Sequence, residues 1–150
     1  MRDERKQEAR HRRGFTLVEI MIVVAILGVL AALAVPQFAS ATSESRSNSI
    51  RMNLRHIRLQ LTIYWQDHDA TYPTLADFVD QLTTSSDMSG FTAAVGTAGY
   101  PFGPYLDVIP KNSNTGTNTI SAGAIGTSAW YYDDFTGDFL ANDSAETAAY

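Results

Sequence analysis

Glu19 is the residue whose chemistry most needs explaining: a carboxylate set five residues into an otherwise apolar stretch. Ionised side chains are costly in hydrocarbon and are retained there for a partner or a task. A second acidic set, Asp133, Asp134 and Asp138, sits in one short turn sequence. Hard oxygen ligands in a tight loop suit calcium, although acids are also ordinary turn residues, so these three are weak calcium candidates and no cofactor is expected. Asp67-His68-Asp69 has metal-ligand residue types but reads more simply as a solvated turn. His11, His56 and His68 fall in no nucleophile or metal pattern and read as surface residues. Arg51, Arg55 and Arg58 recur at i, i+4 and i+7. They suit a solvated helix face or contact with the acidic domain of a neighbouring subunit, with DNA contact the remaining alternative. Gly-x-Ser-x-Gly, the phosphate-binding Gly-x-x-x-x-Gly-Lys and His-Glu-x-x-His are all missing from the sequence, so an enzyme is not expected. With no cysteine, disulfides, cysteine zinc sites, iron–sulfur clusters and thiol nucleophiles are excluded.

Charge is distributed very unevenly along the 150 residues. The first fourteen carry six basic and three acidic side chains, whereas from Leu59 onward Lys111 stands alone against eleven acids. So acidic a region repels phosphate, and nucleic acid is not an expected partner. Between these extremes Ile20 to Val35 is an unbroken run of sixteen apolar or glycine residues. As a helix, Phe15 to Val35 would extend about 31 Å, roughly one hydrocarbon thickness. Arg10, Arg12 and Arg13 precede it, so the positive-inside bias predicts a single pass with a cytoplasmic N-terminus and the bulk outside. An ordinary secretory signal would have Ala39-Ser40-Ala41 as its cleavage pattern, but the run exceeds a signal's usual length and Glu19 has no place in one.

Arg12-Arg13-Gly14-Phe15-Thr16-Leu17-Val18-Glu19 resembles the class III signal of type IV pilins and type II secretion pseudopilins. Shorter phrases extend the likeness: Tyr72-Pro73-Thr74, Gly103-Pro104-Tyr105-Leu106, Trp130-Tyr131-Tyr132 and Thr136-Gly137 resemble the major pseudopilin of type II secretion. The resemblance implies that a prepilin peptidase cuts after Gly14 and methylates the new N-terminal Phe15. It implies that Glu19 pairs with the N-terminal amine of a neighbouring subunit, each offsetting the other's cost in the membrane. Pro36 falls where the family often has a helix-kinking proline. The implied function is that of a structural subunit, polymerising through its N-terminal helices into a pseudopilus for protein export. Its partners would be copies of itself, the peptidase, an inner-membrane assembly platform with its ATPase, and lipid before assembly. Localisation would be the inner membrane, with the C-terminal domain extracytoplasmic. Many type IV pilins carry a C-terminal disulfide loop, impossible here, which favours the pseudopilin. The alternatives are a type IV pilus subunit for adhesion, twitching or DNA uptake and, from a different class, a membrane-anchored enzyme.

The elements that must position these residues follow from periodicity. Ile50, Leu54, Ile57, Leu61 and Tyr64 form a 3.6-residue stripe, so the helix resumes after Pro36 and ends between Gln66 and Ala70. Thr74-Leu-Ala-Asp77 reads as a capping-box variant opening a short helix over 74–82. Tyr105 to Ile109 and Asn118 to Ser121 are expected strands. Ala129 to Asp133 and Asp138 to Asn142 flank Asp134-Phe135-Thr136-Gly137 as a hairpin, with Gly137 suited to positive φ. The last residues, 144–150, are expected to fray. The expected fold is α+β, a long N-terminal helix whose second half packs on a small antiparallel sheet. The expected divisions are a cleaved leader 1–14, a membrane and assembly half 15–38, an amphipathic half 39–65 and a globular domain 66–150.

Overall fold

The structure, a computed structural model, describes residues 14–150, except for the side chains at positions 35, 36 and 39. Apart from Gly14, the expected leader with Arg10, His11, Arg12 and Arg13 lies outside the described residues. The chain divides into two compact units, one ending at Ala41 and one running from Thr42 to Tyr150. A single helix, α1, spans Leu17–Asp67, with Pro36 inside it.

In the first unit the segment Leu17–Ala34 is apolar, and no described residue covers it. Leu17–Ala34 has a mean hydropathy of 2.8, and none of it is buried. A core helix of a water-soluble protein would hide such a surface; this one presents it to whatever surrounds it. In the second unit the same helix is amphipathic. Ile50, Leu54, Ile57, Leu61 and Tyr64 are each at most 1% exposed, so the whole expected stripe faces the core.

That core is closed from the other side by a short helix and a small sheet. Helix α2 spans Phe78–Thr83 and buries Phe78, Gln81 and Leu82. It begins later than the spacing predicts, because residues 75–77 form a turn. Thr74 Oγ1 accepts the Asp77 N–H at 3.2 Å, but the returning arm of a capping box is missing. The Thr74 N–H donates instead to Gln81 Oε1 at 2.8 Å. A capping box takes Glu or Gln at its fourth position, and aspartate is one methylene shorter.

Strands β1 (Ser85–Ser86) and β2 (Thr92–Ala93) pair antiparallel. Strands β3 (Ile120–Ser121), β4 (Trp130–Tyr132) and β5 (Phe139–Ala141) form a second sheet in that order. The β4–β5 hairpin is antiparallel, with Tyr132 opposite Phe139 and Trp130 opposite Ala141. Along it Trp130, Tyr132, Phe139 and Ala141 are buried while Tyr131 and Leu140 are half-exposed, the period-2 alternation of a one-faced sheet. Strand β3 runs parallel to β4, so this sheet is mixed where an antiparallel one was expected. The cause is local: the N–H groups of Ala129 and Trp130 both donate to Thr119 O, at 3.1 and 3.0 Å. That returns the intervening loop to the start of β3 rather than to its end.

Two further expectations give way to side-chain chemistry. Tyr105 to Ile109 forms no strand, because the Tyr105 and Leu106 N–H groups both bond Leu82 O at 2.9 Å. Leu106 and Ile109 are the buried members, a spacing of three that no strand has. The end of the chain is docked rather than frayed. A 3₁₀ turn covers Thr147–Ala149, and Thr147 is buried. Asp143 holds this segment by accepting from Asn112 Nδ2 (2.7 Å), Asn114 Nδ2 (2.8 Å) and Thr147 Oγ1 (2.9 Å). Asn112, fully buried, also donates to Ala129 O at 3.0 Å, tying the network to the sheet.

Candidate functional site

Helix α1 starts on residues that satisfy their own backbone. Glu19 Oε2 accepts the Thr16 N–H at 2.8 Å and the Thr16 hydroxyl at 2.9 Å. Thr16 Oγ1 in turn accepts the Glu19 N–H at 3.2 Å. This is a reciprocal capping box, with Thr16 as the cap and Glu19 three residues on. Helix N-termini leave unpaired N–H groups, and in hydrocarbon those have no water to fall back on. Thr16 is therefore part of the site, and the sequence reading passed over it; Thr-x-x-Glu before an apolar run is its signal. Phe15 lies just outside the cap and is 83% exposed. A Cβ added to Gly14 would meet nothing within 4 Å among the described residues.

The acidic set lies in the hairpin turn. Asp133 Oδ1 accepts the N–H groups of Phe135 (2.9 Å) and Thr136 (3.2 Å). Asp134 Oδ2 accepts the Leu75 N–H at 3.1 Å, and Asp138 Oδ2 accepts the Thr136 hydroxyl at 3.0 Å. The three carboxylates thus bond three different sets of donors. Among the described residues no group of three acidic, histidine or cysteine side chains could hold a metal ion. Gly137 closes the turn at φ +76°, with Tyr72 against it.

His68 is not a surface residue. It is 2% exposed, stacked on Tyr64 with ring centroids 3.7 Å apart. Its Nδ1 lies 2.8 Å from Tyr64 O, which can only accept, so Nδ1 carries the proton. Nε2 lies 2.9 Å from the Ser86 hydroxyl, a second hydrogen bond. The imidazole joins the end of α1 to β1. A cleft of about 350 Å³ beside it is lined by Tyr64, His68, Asp69, Gln81 and others. Burial, reinforced by the charges of Asp87 and Asp77, pushes the Tyr64 hydroxyl up to about 12, so it is no base at neutral pH. His56 is exposed, as expected.

A motif described as the prokaryotic N-terminal methylation motif matches residues 9–35. The match includes Gly14, Phe15 and Glu19 and stops one residue short of Pro36. A type II secretion system core protein G from Klebsiella pneumoniae is 31% identical over 103 residues, 69% of each chain. This chain belongs to the type IV pilin and pseudopilin family. Other pilin-like relatives are more similar over shorter stretches. The core protein G of Pseudomonas aeruginosa is 39% identical over 75 residues, 50% of this chain and 52% of that one. The type IV major pilin protein PilA of Myxococcus xanthus is 36% identical over 70 residues, 47% of this chain and 30% of that one. The chain thus spans about half of the first relative and less of the second. No solved structure matches it at a significant level.

Proposed function

We propose that this chain is a structural subunit of an envelope filament of the type II secretion pseudopilus kind, polymerising through its N-terminal helix to drive protein export. The observation that carries this reading is an eighteen-residue helical segment, Leu17–Ala34, with no buried residue, beginning at a Thr16–Glu19 cap inside a matched methylation motif. Such a surface needs lipid before assembly and neighbouring helices after it. The peptide after Gly14 is the proposed cleavage site, and the amine of Phe15 the proposed site of methylation. Arg10, Arg12 and Arg13 would keep that end cytoplasmic until assembly, with the domain outside. The freed amine, one residue before Thr16, would pair with Glu19 of a neighbouring copy. Pro36 is the proposed point at which the helix loosens, since proline removes one backbone donor. An inner-membrane assembly platform and its ATPase are the proposed machinery.

Core protein G is favoured over the pilins because its match in Klebsiella pneumoniae reaches 103 residues, against 70 for the Myxococcus xanthus pilin. A membrane-anchored enzyme has less support: the relatives are named as a secretion-system core protein and a major pilin, and both ring nitrogens of His68 are engaged. Deleting the gene and assaying exported proteins and surface filaments tests the reading. Loss of export with short filaments on overexpression supports it; intact export with loss of long pili assigns the chain to the pilus. Intact-mass analysis of the membrane form should find a chain beginning at Phe15. Recovery of the full-length chain alone refutes the processing.

A further inference from the structure

One face of α1 in the second unit forms a basic cleft of about 340 Å³, lined by Arg51, Arg55, Arg58, Ala149 and Tyr150. Two of its arginines are held in place. Arg58 donates Nε to Phe139 O at 2.9 Å and Nη1 to Tyr150 O at 3.1 Å, clamping β5 and the final turn to the helix. The Arg51 guanidinium lies 4.2 Å from the centre of the Tyr150 ring. Arg55, between them, is exposed and has no hydrogen bond or ion pair among the described residues. The wall of the cleft is fixed and its central charge is unanswered.

The complement to that charge is carried elsewhere on the same unit. From Leu59 onward eleven acids face one lysine. Two of them flank Phe135, which at 90% is the most exposed large apolar residue among those described. Asp134 and Asp138, both exposed, stand on either side of it at the β4–β5 tip. We propose that this hairpin tip, from a second copy of the chain, docks in the arginine cleft. Asp134 and Asp138 then face Arg55 and Arg51, and the Phe135 ring lies against their guanidinium planes. The proposal rests on the filament-subunit reading and names the contact its globular units make.

The two patches are different surfaces at different heights. Asp134 bonds Leu75, beyond the end of α1, whereas Arg55 lies about 18 Å back along the helix from Asp67. Repeated head to tail, as a filament requires, a contact between these two patches propagates as an open helical array unless its rotation closes a ring. Placing an exposed aromatic between two acids and opposite a charged cleft also gives register, since a shifted copy would set acid against acid.

The absence of cysteine from the chain allows a direct test. Two separately tagged full-length copies are produced together, one with Met52→Cys and one with Thr136→Cys, and treated in membranes with a short bismaleimide. Met52 is 70% exposed beside Arg51, and Thr136 is at the hairpin tip. A control replaces the second cysteine by Met88→Cys, 64% exposed on another loop. Mixed dimers are expected to exceed the control and to fall about fivefold when the Met52→Cys copy also carries Arg55→Glu. Asp134→Arg in the other copy should restore them. Arg55 has no intramolecular partner among the described residues, so its replacement leaves the fold untouched. Mixed dimers no more abundant than the control, or indifferent to Arg55→Glu, overturn the contact. So does a loss that neither Asp134→Arg nor Asp138→Arg repairs. Filaments counted in the same cells report separately: filaments without the specific crosslink refute the contact and leave the subunit reading intact. The crosslink without filaments does the reverse.

Discussion

Replacing Gly137 by alanine strikes the hairpin at a point where two costs can be separated. Gly137 holds φ at +76°, a conformation that costs an L-residue about 1–2 kcal/mol. Its added Cβ would also run into the Tyr72 ring, lying closest to Cζ and 2.5 Å from Cε1. Forcing an extra methyl into such a space typically costs about 1–3 kcal/mol. Tyr72 is half-exposed and can swing outward, at the expense of its contact with Trp65, so the lower half of that range applies. The total is about 2–4 kcal/mol, or roughly 10–25 °C in melting temperature for a unit of this size. The assay is thermal unfolding of the detergent-solubilised full chain, followed by fluorescence of Trp130, which is fully buried. The decisive measurement repeats Gly137→Ala in a Tyr72→Ala background. There only the backbone cost should remain, giving a coupling of about 1–2 kcal/mol between the two sites. Equal losses in both backgrounds would refute the collision, and no loss in either would refute the backbone argument as well.

Three further outcomes are expected. Glu19→Leu should leave membrane insertion intact but reduce filament number, with Glu19→Gln between it and wild type; wild-type filament counts from the leucine variant by electron microscopy would end the proposed assembly role. Partial burial alone would raise the Asp143 carboxyl, but hydrogen bonds from Asn114, Asn112 and Thr147 outweigh it and hold the group below the usual carboxylate range. A depressed folded value gives stability that is complete above the unfolded pKa and lost as pH falls through the folded one. Asp143→Asn should therefore lower the melting temperature at neutral pH, with the gap to wild type narrowing on acidification; a gap constant with pH would refute the linkage. Melting is expected to be unchanged between millimolar calcium and chelator, since Asp133, Asp134 and Asp138 do not form a metal-holding group; a calcium-dependent rise would restore them as ligands.

Periodic and local signals in the sequence carried over well, and non-local ones did not. The Ile50–Tyr64 stripe needs only one helix period, and all five residues are buried. The hairpin needs only its turn residues, and Gly137 has the positive φ that its position demands. Tyr105 to Ile109 has strand-like composition, yet what decides its backbone is Leu82 O, more than twenty residues away. His68 looks like a solvated turn residue because the groups that bury it, Ser86, Phe102 and Tyr105, come from segments distant in the sequence. The same holds for residues 144–150, whose anchor is the Asn112–Asp143–Thr147 network. Thr16 is a different kind of miss. Its capping signal is fully local, but the charge of Glu19 was read against the membrane and its spacing to Thr16 was not.

That cap changes what the two Glu19 variants can discriminate. In the structure the carboxylate is already engaged: one oxygen takes both the N–H and the hydroxyl of Thr16. A neighbouring amine would therefore approach a carboxylate held by its own helix, with Oε1 free of Thr16. The cap orients the charge for the proposed intersubunit pair at the same time as it closes the helix end. Leucine removes cap and charge together, so a defect in Glu19→Leu has two causes. Glutamine keeps an acceptor for Thr16 and removes only the charge, while Thr16→Val keeps the charge and removes the hydroxyl arm of the cap. If pairing with the amine drives assembly, glutamine is the more damaging of these two; if closing the helix end is what matters, valine is. The comparison between Glu19→Gln and Thr16→Val, in filament number at equal amounts of processed protein, separates an electrostatic role for Glu19 from a purely conformational one.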